Sequence, residues 1–346
     1  MKSITIINLK IMKQISKLLL VSLTILLVQA NLYAQINKVD AIGITVKDMN
    51  RSVKFFQDVL GFTKVSDNEF SGTEYENLEG IFGLNIRIVR MQLGDEFIEL
   101  TDYLTTGGRS IPEDQKSNDL FFQHIAIVVS DMDKAFEQLN KFNVEYVSTS
   151  PQTLPVTNVA AAGIKAFYFH DVDDHNLELI YFPKGKGNPK WQSFNNKIFL
   201  GIDHTAIGVS NTENSQKFYQ DILGIERKGD SWNLGTEQEH LNNVEGASLH
   251  ITGFRAVAGP GVEFLQYLKP GPGKKYPADT RADDIWFWQT TLFTNDAEAL
   301  YNKLKTLGYI FISKGVIHIN VNGMHLKSFI VRDPDGHAML IKEIVK

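Results

Sequence analysis

The chain repeats one pattern of residues, and the two copies keep the same order and nearly the same spacing. The segment GTEYENLEGIFG begins at Gly72, and a similar segment, GTEQEHLNNVEG, begins 163 residues later at Gly235. The segment DVDDHNLELI begins at Asp171 and is matched by DPDGHAMLIK at Asp333, 162 residues later. Because the offset hardly changes along the chain, the pattern indicates one duplicated domain.

Each half divides again into two modules that follow the same order of elements. In FFQHIAIVVSDMDKAFEQLN, an apolar strand is followed by Ser-Asp, which is typical of a helix cap, and then by an amphipathic helix with apolar residues from Met132 to Leu139. β-rich segments come next. We therefore predict an α+β fold of four β-α-β-β-β modules. The halves would be residues 37–183 and 199–346, joined by a linker rich in Pro, Gly and Lys at 184–198.

The first 34 residues differ in composition from the rest. Lysines precede the apolar run LLLVSLTILLV, and small residues follow at Ala30 and Ala34. This order of a basic region, a short apolar region and a small-residue exit predicts a signal peptide at 1–34, cleaved after Ala30 or Ala34. The apolar run is too short for a membrane span. We expect a periplasmic or secreted protein with no stable membrane insertion after cleavage.

Composition excludes several classes of function. The formal net charge of −5 becomes −9 without the four lysines of residues 1–34, so the body lacks the basic surface that nucleic-acid binding needs. The chain has no cysteine, which excludes disulfides, thiolate metal sites and a cysteine nucleophile. We expect a small molecule as the partner. The oligomeric state stays open.

Three motifs resemble a known family. The segment DHTAIGVSNTENSQKFYQDILG from Asp203, the IEL strand end near Glu99 and DPDGH from Asp333 are similar to the vicinal oxygen chelate superfamily. That group includes glyoxalase I, extradiol dioxygenases and bleomycin-resistance proteins. The resemblance covers residues 37–346 and implies that modules pair into curved, open, mixed sheets. It does not imply one reaction, since the fold carries several activities.

The resemblance also implies two metal-ligand positions in each module, on the first and last strands. In chain order these positions hold Ala41 and Glu99, His124 and Glu178, His204 and Glu263, and Gln289 and Leu340. If modules two and three pair, one site gathers both histidines and two glutamates. If sequence neighbours pair instead, both sites are incomplete, and Glu99 would join His124 and Glu178. We favour the crossed pairing and keep the neighbour pairing as the alternative.

Two imidazoles and two carboxylates suit a divalent first-row metal ion such as Zn, Ni, Co, Mn or Fe. By resemblance to glyoxalase I, Glu178 or Glu263 would move a proton as general base. We therefore expect an exported metal-dependent lyase or isomerase whose small substrate chelates the metal through vicinal oxygens. Two alternatives stay open: a metal-free binding protein of the bleomycin-resistance type, and an extradiol dioxygenase in which one glutamate stays off an iron ion.

Three other histidines fit structural roles better. His175 and His337 occupy the same place in the two copies of the Asp-rich segment before the last strand, where we expect them to order a turn. His240, in TEQEHLNN, is predicted to be a solvated loop residue.

Overall fold

The computed structural model describes residues 35–193, 196–321 and 323–345. The predicted signal peptide lies outside these ranges. Within them, no helix combines the length and the apolar character that crossing a membrane requires.

The first half contains modules one and two. Module one consists of β1 (Ile36–Val46), α1 (Met49–Asp58), β2 (Thr63–Ser71), α2 (Thr73–Glu79), β3 (Asn85–Leu93) and β4 (Glu96–Tyr103). Module two consists of β5 (Gln123–Val129), α3 (Met132–Lys141), β6 (Gln152–Thr153), β7 (Lys165–His170) and β8 (Asn176–Tyr181). A short 3₁₀ turn, Pro189–Gln192, follows in the predicted linker.

The second half repeats this order. Module three consists of β9 (Phe199–Gly208), α4 (Thr212–Gln216), a π-helical continuation (Lys217–Ile222), β10 (Glu226–Leu234), α5 (Thr236–Asn242), β11 (Ser248–Arg255) and β12 (Gly261–Lys269). Module four consists of β13 (Trp288–Thr294), α6 (Ala297–Thr306), β14 (Ile317–Val321), β15 (Met324–Arg332) and β16 (Ala338–Val345). The predicted module order is confirmed, with α2 and α5 as additional helices in modules one and three.

The strands form two eight-stranded mixed sheets, and each sheet takes one module from each half. One sheet has the order β10-β11-β12-β9-β5-β8-β7-β6, which joins modules two and three; we call it the inner sheet and its cavity the inner cup. The other has the order β14-β15-β16-β13-β1-β4-β3-β2, which joins modules one and four; these are the outer sheet and the outer cup. The crossed pairing is confirmed, and the neighbour pairing is wrong.

Modules that are neighbours in sequence share an apolar core but belong to different sheets. One apolar core combines residues of α1, β1 and β4 with residues of α3, β5 and β8, and a second core does the same for modules three and four. The long helices begin where the sequence predicts, because Asp131 and Asp296 accept hydrogen bonds from the first helical turns of α3 and α6. The cores thus fill the space between the sheets, and the opposite sheet faces form the cups.

A tight backbone contact joins the two sheets. The Val39 amide of β1 donates to the Ala258 carbonyl at 3.0 Å, and the Ala258 amide donates to the Asn37 carbonyl at 3.2 Å. Ala258 lies in the turn between β11 and β12. The next residue, Gly259, has φ +89°, and a Cβ there would lie 1.8 Å from the Val39 carbonyl oxygen. Only glycine fits this contact without moving β1.

Gly259→Ala should therefore destabilise the protein by about 3 kcal/mol or more, since a left-handed alanine costs roughly 1–2 kcal/mol and overpacking adds about 1–3. Gly246→Ala is the matched control, because Gly246 has φ +67° and a Cβ there meets nothing within 4 Å. Urea unfolding of both variants measures the difference. Equal losses of stability would show that the contact between the sheets is loose.

Candidate metal centre

The two candidate histidines lie on adjacent antiparallel strands at the middle of the inner sheet. Pairing of β5 with β9 sets His124 opposite Ala206, and Ala126 opposite His204. Alternate residues of a strand share a face, so all four side chains lie on the cup side. The alanines leave room for the two imidazoles, whose ring centroids are 5.8 Å apart.

The two candidate glutamates come from the strands on either side of this pair. β8 runs parallel to β5 with Glu178 beside Ala126, and β12 runs parallel to β9 with Glu263 beside Ala206. The register therefore brings both carboxylates to the same face as the histidines. All four residues that the sequence predicted as metal ligands meet in one cup.

The distances between their polar atoms are short. Glu178 Oε2 lies 3.2 Å from His124 Nε2 and 3.7 Å from His204 Nε2, and Glu263 Oε1 lies 3.5 Å from His204 Nε2. His124, Glu178 and His204 each offer a ligand atom within 4.8 Å of the others. At metal–ligand bond lengths of about 2.0–2.2 Å, two ligands of one ion lie roughly 3–3.5 Å apart. The described arrangement fits one ion after small side-chain movements.

The imidazole nitrogens supply an independent test of fit. His124 is 1% exposed and His204 is 6% exposed. Among the described residues, His124 Nδ1, His124 Nε2 and His204 Nε2 have no hydrogen-bond partner. Buried polar atoms are normally paired, and leaving one unpaired costs about 1–3 kcal/mol. A metal ion bound by both Nε2 atoms would remove most of that cost.

Burial and the carboxylates act differently on the two histidines. Burial lowers the pKa of His124, because the charged imidazolium is disfavoured away from water. Burial acts in the same direction on His204, but the surrounding carboxylates Glu263, Asp203 and Glu178 outweigh it and raise the pKa of His204 to about 9. Burial also raises the pKa of Glu263. The carboxylates therefore stabilise a positive charge at His204, where a bound metal ion could take the place of the proton.

Asp203 orients His204 and was not predicted from the sequence. Its Oδ2 lies 3.0 Å from His204 Nδ1, it accepts from Arg255 Nη2 at 2.7 Å, and its Oδ1 accepts from Trp191 Nε1 at 2.8 Å. Burial opposes ionisation, but His204 and these donors hold the pKa of Asp203 well below its usual range. The carboxylate fixes the ring so that Nε2 faces the cup, which is the usual arrangement around metal-bound histidine.

A β-bulge explains how two successive residues can cooperate in this way. Successive side chains of a regular strand point to opposite faces, yet Asp203 reaches His204. The pairing of β9 with β5 slips here, because Ala126 pairs with His204 while Ile127 pairs with Ile202. Asp203 is the extra residue, and a bulge re-aims side chains. The one sequence feature that could have indicated this residue is the aspartate that both halves share, Asp40 in module one and Asp203 in module three.

The other ligand positions lie in the outer cup and lack a metal-binding set. Ala41 pairs with Thr291, and Gln289 pairs with Gly43, the same register as in the inner sheet. Glu99 accepts from Arg90 at 2.7 Å, and Leu340 is buried in an apolar cluster. Glu99 is therefore separated from His124 and Glu178, as the crossed pairing requires.

The remaining histidines have structural positions. His175 Nδ1 lies 2.9 Å from Asp171 Oδ2, and His337 makes the equivalent contact with Asp333 at 3.1 Å. Their predicted role in ordering turns is confirmed. His240 is exposed, as predicted, but it lies on helix α5 rather than in a loop.

Comparisons with known proteins agree with this architecture. The chain matches the Glyoxalase/Bleomycin resistance protein/Dioxygenase superfamily over residues 38–179 and again over 201–341. Glyoxalase I from Zea mays aligns with a TM-score of 0.57 at 16% identity, covering 89% of this chain and 92% of that one. A putative dioxygenase from Bacillus subtilis aligns with a TM-score of 0.53 at 14% identity, covering 90% and 85%. At these identities the likeness shows the fold alone.

A comparison with curated protein sequences found no match. The family assignment depends instead on the two matched segments, which span most of the chain in tandem. Two curved mixed sheets, each built from two modules, agree with it. The chain therefore belongs to the glyoxalase/bleomycin resistance protein/dioxygenase superfamily, the vicinal oxygen chelate group that its motifs resemble.

Proposed function

We propose that this protein is an exported, metal-dependent lyase or isomerase of the glyoxalase type, acting on a small substrate with vicinal oxygens. The single observation that carries the proposal is the meeting of His124, Glu178, His204 and Glu263 at 3.2–3.7 Å contacts in the inner cup. Its export rests on the composition of residues 1–34.

His124, His204 and Glu178 would hold the metal ion. Glu178 is 5% exposed and its Oε2 contacts both imidazoles, so its position is the most constrained. The donor set of imidazole and carboxylate suits a divalent first-row metal ion. When bound, such an ion supplies Lewis acidity to the vicinal oxygens of the substrate.

Glu263 is the better placed of the two glutamates to move a proton. Its side chain is 27% exposed, and it contacts one of the two histidines, His204, through Oε1. Because the Glu263 side chain is more exposed than that of Glu178 and lines the cavity, it would take a carbon-bound proton of the substrate while Glu178 holds the metal ion. A general base must lie within hydrogen-bond reach of the proton that it takes.

The size of the inner cup limits the substrate. The cavity is about 400 Å³, and its lining includes Tyr168, Arg255 and three of the candidate site residues, Glu178, His204 and Glu263. Tyr168 packs against the His124 ring with centroids 4.8 Å apart, which excludes water from that side. A small molecule with two adjacent oxygens fits this volume.

A specific observation supports an extradiol dioxygenase as the second candidate. His124, His204 and Glu178 form a compact group of two histidines and one carboxylate, with Glu263 in contact with His204 alone. Two histidines and one carboxylate with open positions are typical of non-haem Fe(II) oxygenases. Oxygen uptake with catechol and Fe(II), absent with Zn(II), would favour this candidate over the lyase or isomerase.

The first prediction from this proposal concerns metal content. Protein purified without an affinity tag should hold about one first-row divalent metal ion per chain, measured by inductively coupled plasma mass spectrometry. Glu178→Gln should weaken metal binding more than about 100-fold. Loss of a residue that only supports a metal ligand costs roughly 10- to 100-fold, and Glu178 is proposed to bind the metal directly. Glu99→Gln is the matched control, because Glu99 occupies the same strand position in the outer sheet, and it should bind metal as the wild type does.

Activity separates the two glutamates. With the metal bound, Glu263→Gln should abolish exchange of the α-proton of an α-hydroxyketone with D₂O, followed by NMR, while keeping most of the metal. Two results together would refute the metal-dependent enzyme and favour a binding protein. The purified wild type would contain no metal, and the His124→Ala/His204→Ala variant would be as stable as the wild type.

The role of Asp203 gives a further prediction. Asp203→Asn should lower metal affinity about 10- to 100-fold, because His204 loses the carboxylate that orients its ring. Asp230→Asn is the control, since Asp230 contacts His250 at 3.0 Å in a similar pair that includes none of the candidate ligands. Isothermal titration with Zn(II) and Co(II) measures both. Unchanged affinity in a folded Asp203→Asn variant would show that the bulged carboxylate does not position the ligand.

A further inference from the structure

The outer cup holds a larger cavity than the inner cup that contains the candidate metal centre. It is about 1030 Å³, compared with about 400 Å³ for the inner cup. Pockets that bind drug-sized molecules range from about 300 to 1,000 Å³. The outer cup lacks a metal-binding set among its ligand positions, and yet it holds a cavity of ligand size.

Much of the wall of this cavity is apolar. Phe70 and Tyr75 stack at one side with ring centroids 4.8 Å apart. Ile88 lines module one's side, and Ile319 and Leu326 line module four's side. Polar and charged side chains line the rest of the cavity. Apolar walls combined with polar groups that fix orientation are typical of a pocket for an organic ligand.

The charged groups of the cup are largely paired with one another. Arg90 Nη1 donates to Asp40 Oδ2 at 2.8 Å and to Glu99 Oε1 at 2.7 Å. Lys38 contacts Asp40 at 2.5 Å, and Lys342 lies 3.9 Å from Glu99 Oε2. A charged ligand would have to break these pairs to find a counter-charge.

Arg90 also occupies the one carboxylate that the outer cup has at a ligand position, Glu99. Arg90 is paired with Glu99 across β3 and β4, whereas Glu178 faces Tyr168 and Glu263 faces Gly253 at the equivalent places of the inner sheet. A guanidinium keeps its charge at all ordinary pH values. It neutralises the carboxylates that a cation would otherwise use.

Two polar atoms of the wall have no partner among the described residues. They are Gln289 Oε1 on β13 and Ser328 Oγ on β15, and both residues line the cavity. Burial raises the pKa of the neighbouring Glu79 to about 7, so that carboxyl is largely uncharged in mildly acidic solution. Buried polar atoms without a partner are costly, and a ligand hydroxyl or amide that meets them recovers the lost interaction.

We propose that the outer cup is a second, metal-independent site that binds an uncharged, mainly apolar organic molecule carrying a hydroxyl, amine or amide group. The apolar body would lie between the walls formed by Ile88 and Leu326. The hydrogen-bonding group would face Gln289 and Ser328. This inference does not depend on the proposed enzyme function, because none of the four residues of the candidate metal centre lines this cup.

The probe for the test is N-phenyl-1-naphthylamine, an uncharged apolar dye with one N–H group whose fluorescence rises away from water. The full-length protein should bind it saturably with one site per chain. The sulfonated form of the same dye, 8-anilinonaphthalene-1-sulfonate, should bind at least tenfold more weakly, because the charges of the cup are already paired. Equal binding of the two dyes would overturn the preference for an uncharged ligand.

Variants assign the dye to one cup. Ile88→Trp and Leu326→Trp fill the outer cup from opposite walls, and each should weaken dye binding at least tenfold. The His124→Ala/His204→Ala variant of the inner cup should bind the dye as the wild type does. Loss of binding in the histidine variant, with binding kept in the two tryptophan variants, would place the dye in the inner cup and refute the proposal.

Hydrogen exchange of the wild type supplies a test that does not depend on whether the variants fold. The dye should slow exchange in the strands of the outer sheet around Ile319 and Leu326. It should leave exchange in β10 of the inner sheet unchanged. Protection confined to the inner sheet would contradict the assignment.

Discussion

The antiparallel pairing of β5 with β9 is the constraint on which the candidate site depends. It joins the second module of the first half to the first module of the second half, and its register places His124 and His204 two residues apart on one face. The parallel neighbours β8 and β12 then bring Glu178 and Glu263 to the same place. A one-residue change in this register would turn one histidine toward the opposite face.

The sequence predicted the modules and their order, because both depend on local periodicity and on motifs that the halves share. The four residues of the inner cup were predicted from the family resemblance. The crossed pairing of modules was favoured because it places both histidines and two glutamates in one site, and the strand order of the structure confirms that pairing. The helices α2 and α5 were missed, since seven-residue helices leave a weak periodic signal. Trp191 was assigned to a linker from its neighbours' composition, yet it is buried and bonds Asp203.

The role of Asp203 was not predictable from the sequence, because it depends on a β-bulge. Strand periodicity places it on the face opposite His204, and only the bulge reverses that. The same slip occurs in the outer sheet, where Val39 pairs with Leu292 and Ala41 pairs with Thr291, leaving Asp40 as the extra residue. The duplicated scaffold thus keeps the bulged aspartate in both cups, but its partners differ. They are His204, Arg255 and Trp191 in the inner cup, and Arg90 and Lys38 in the outer cup.

That difference explains how one scaffold can serve two purposes. In the inner cup the bulged aspartate supports an imidazole, whose free nitrogen can bind a cation, and Tyr168 and Gly253 leave both glutamates without an arginine partner across the strands. In the outer cup Arg90 binds the aspartate and the glutamate together, so the positive charge belongs to the protein itself. Because that charge cannot dissociate, the two carboxylates of the outer cup are already paired and less available to a metal ion. Its larger volume is then available to a ligand held by apolar contacts and hydrogen bonds.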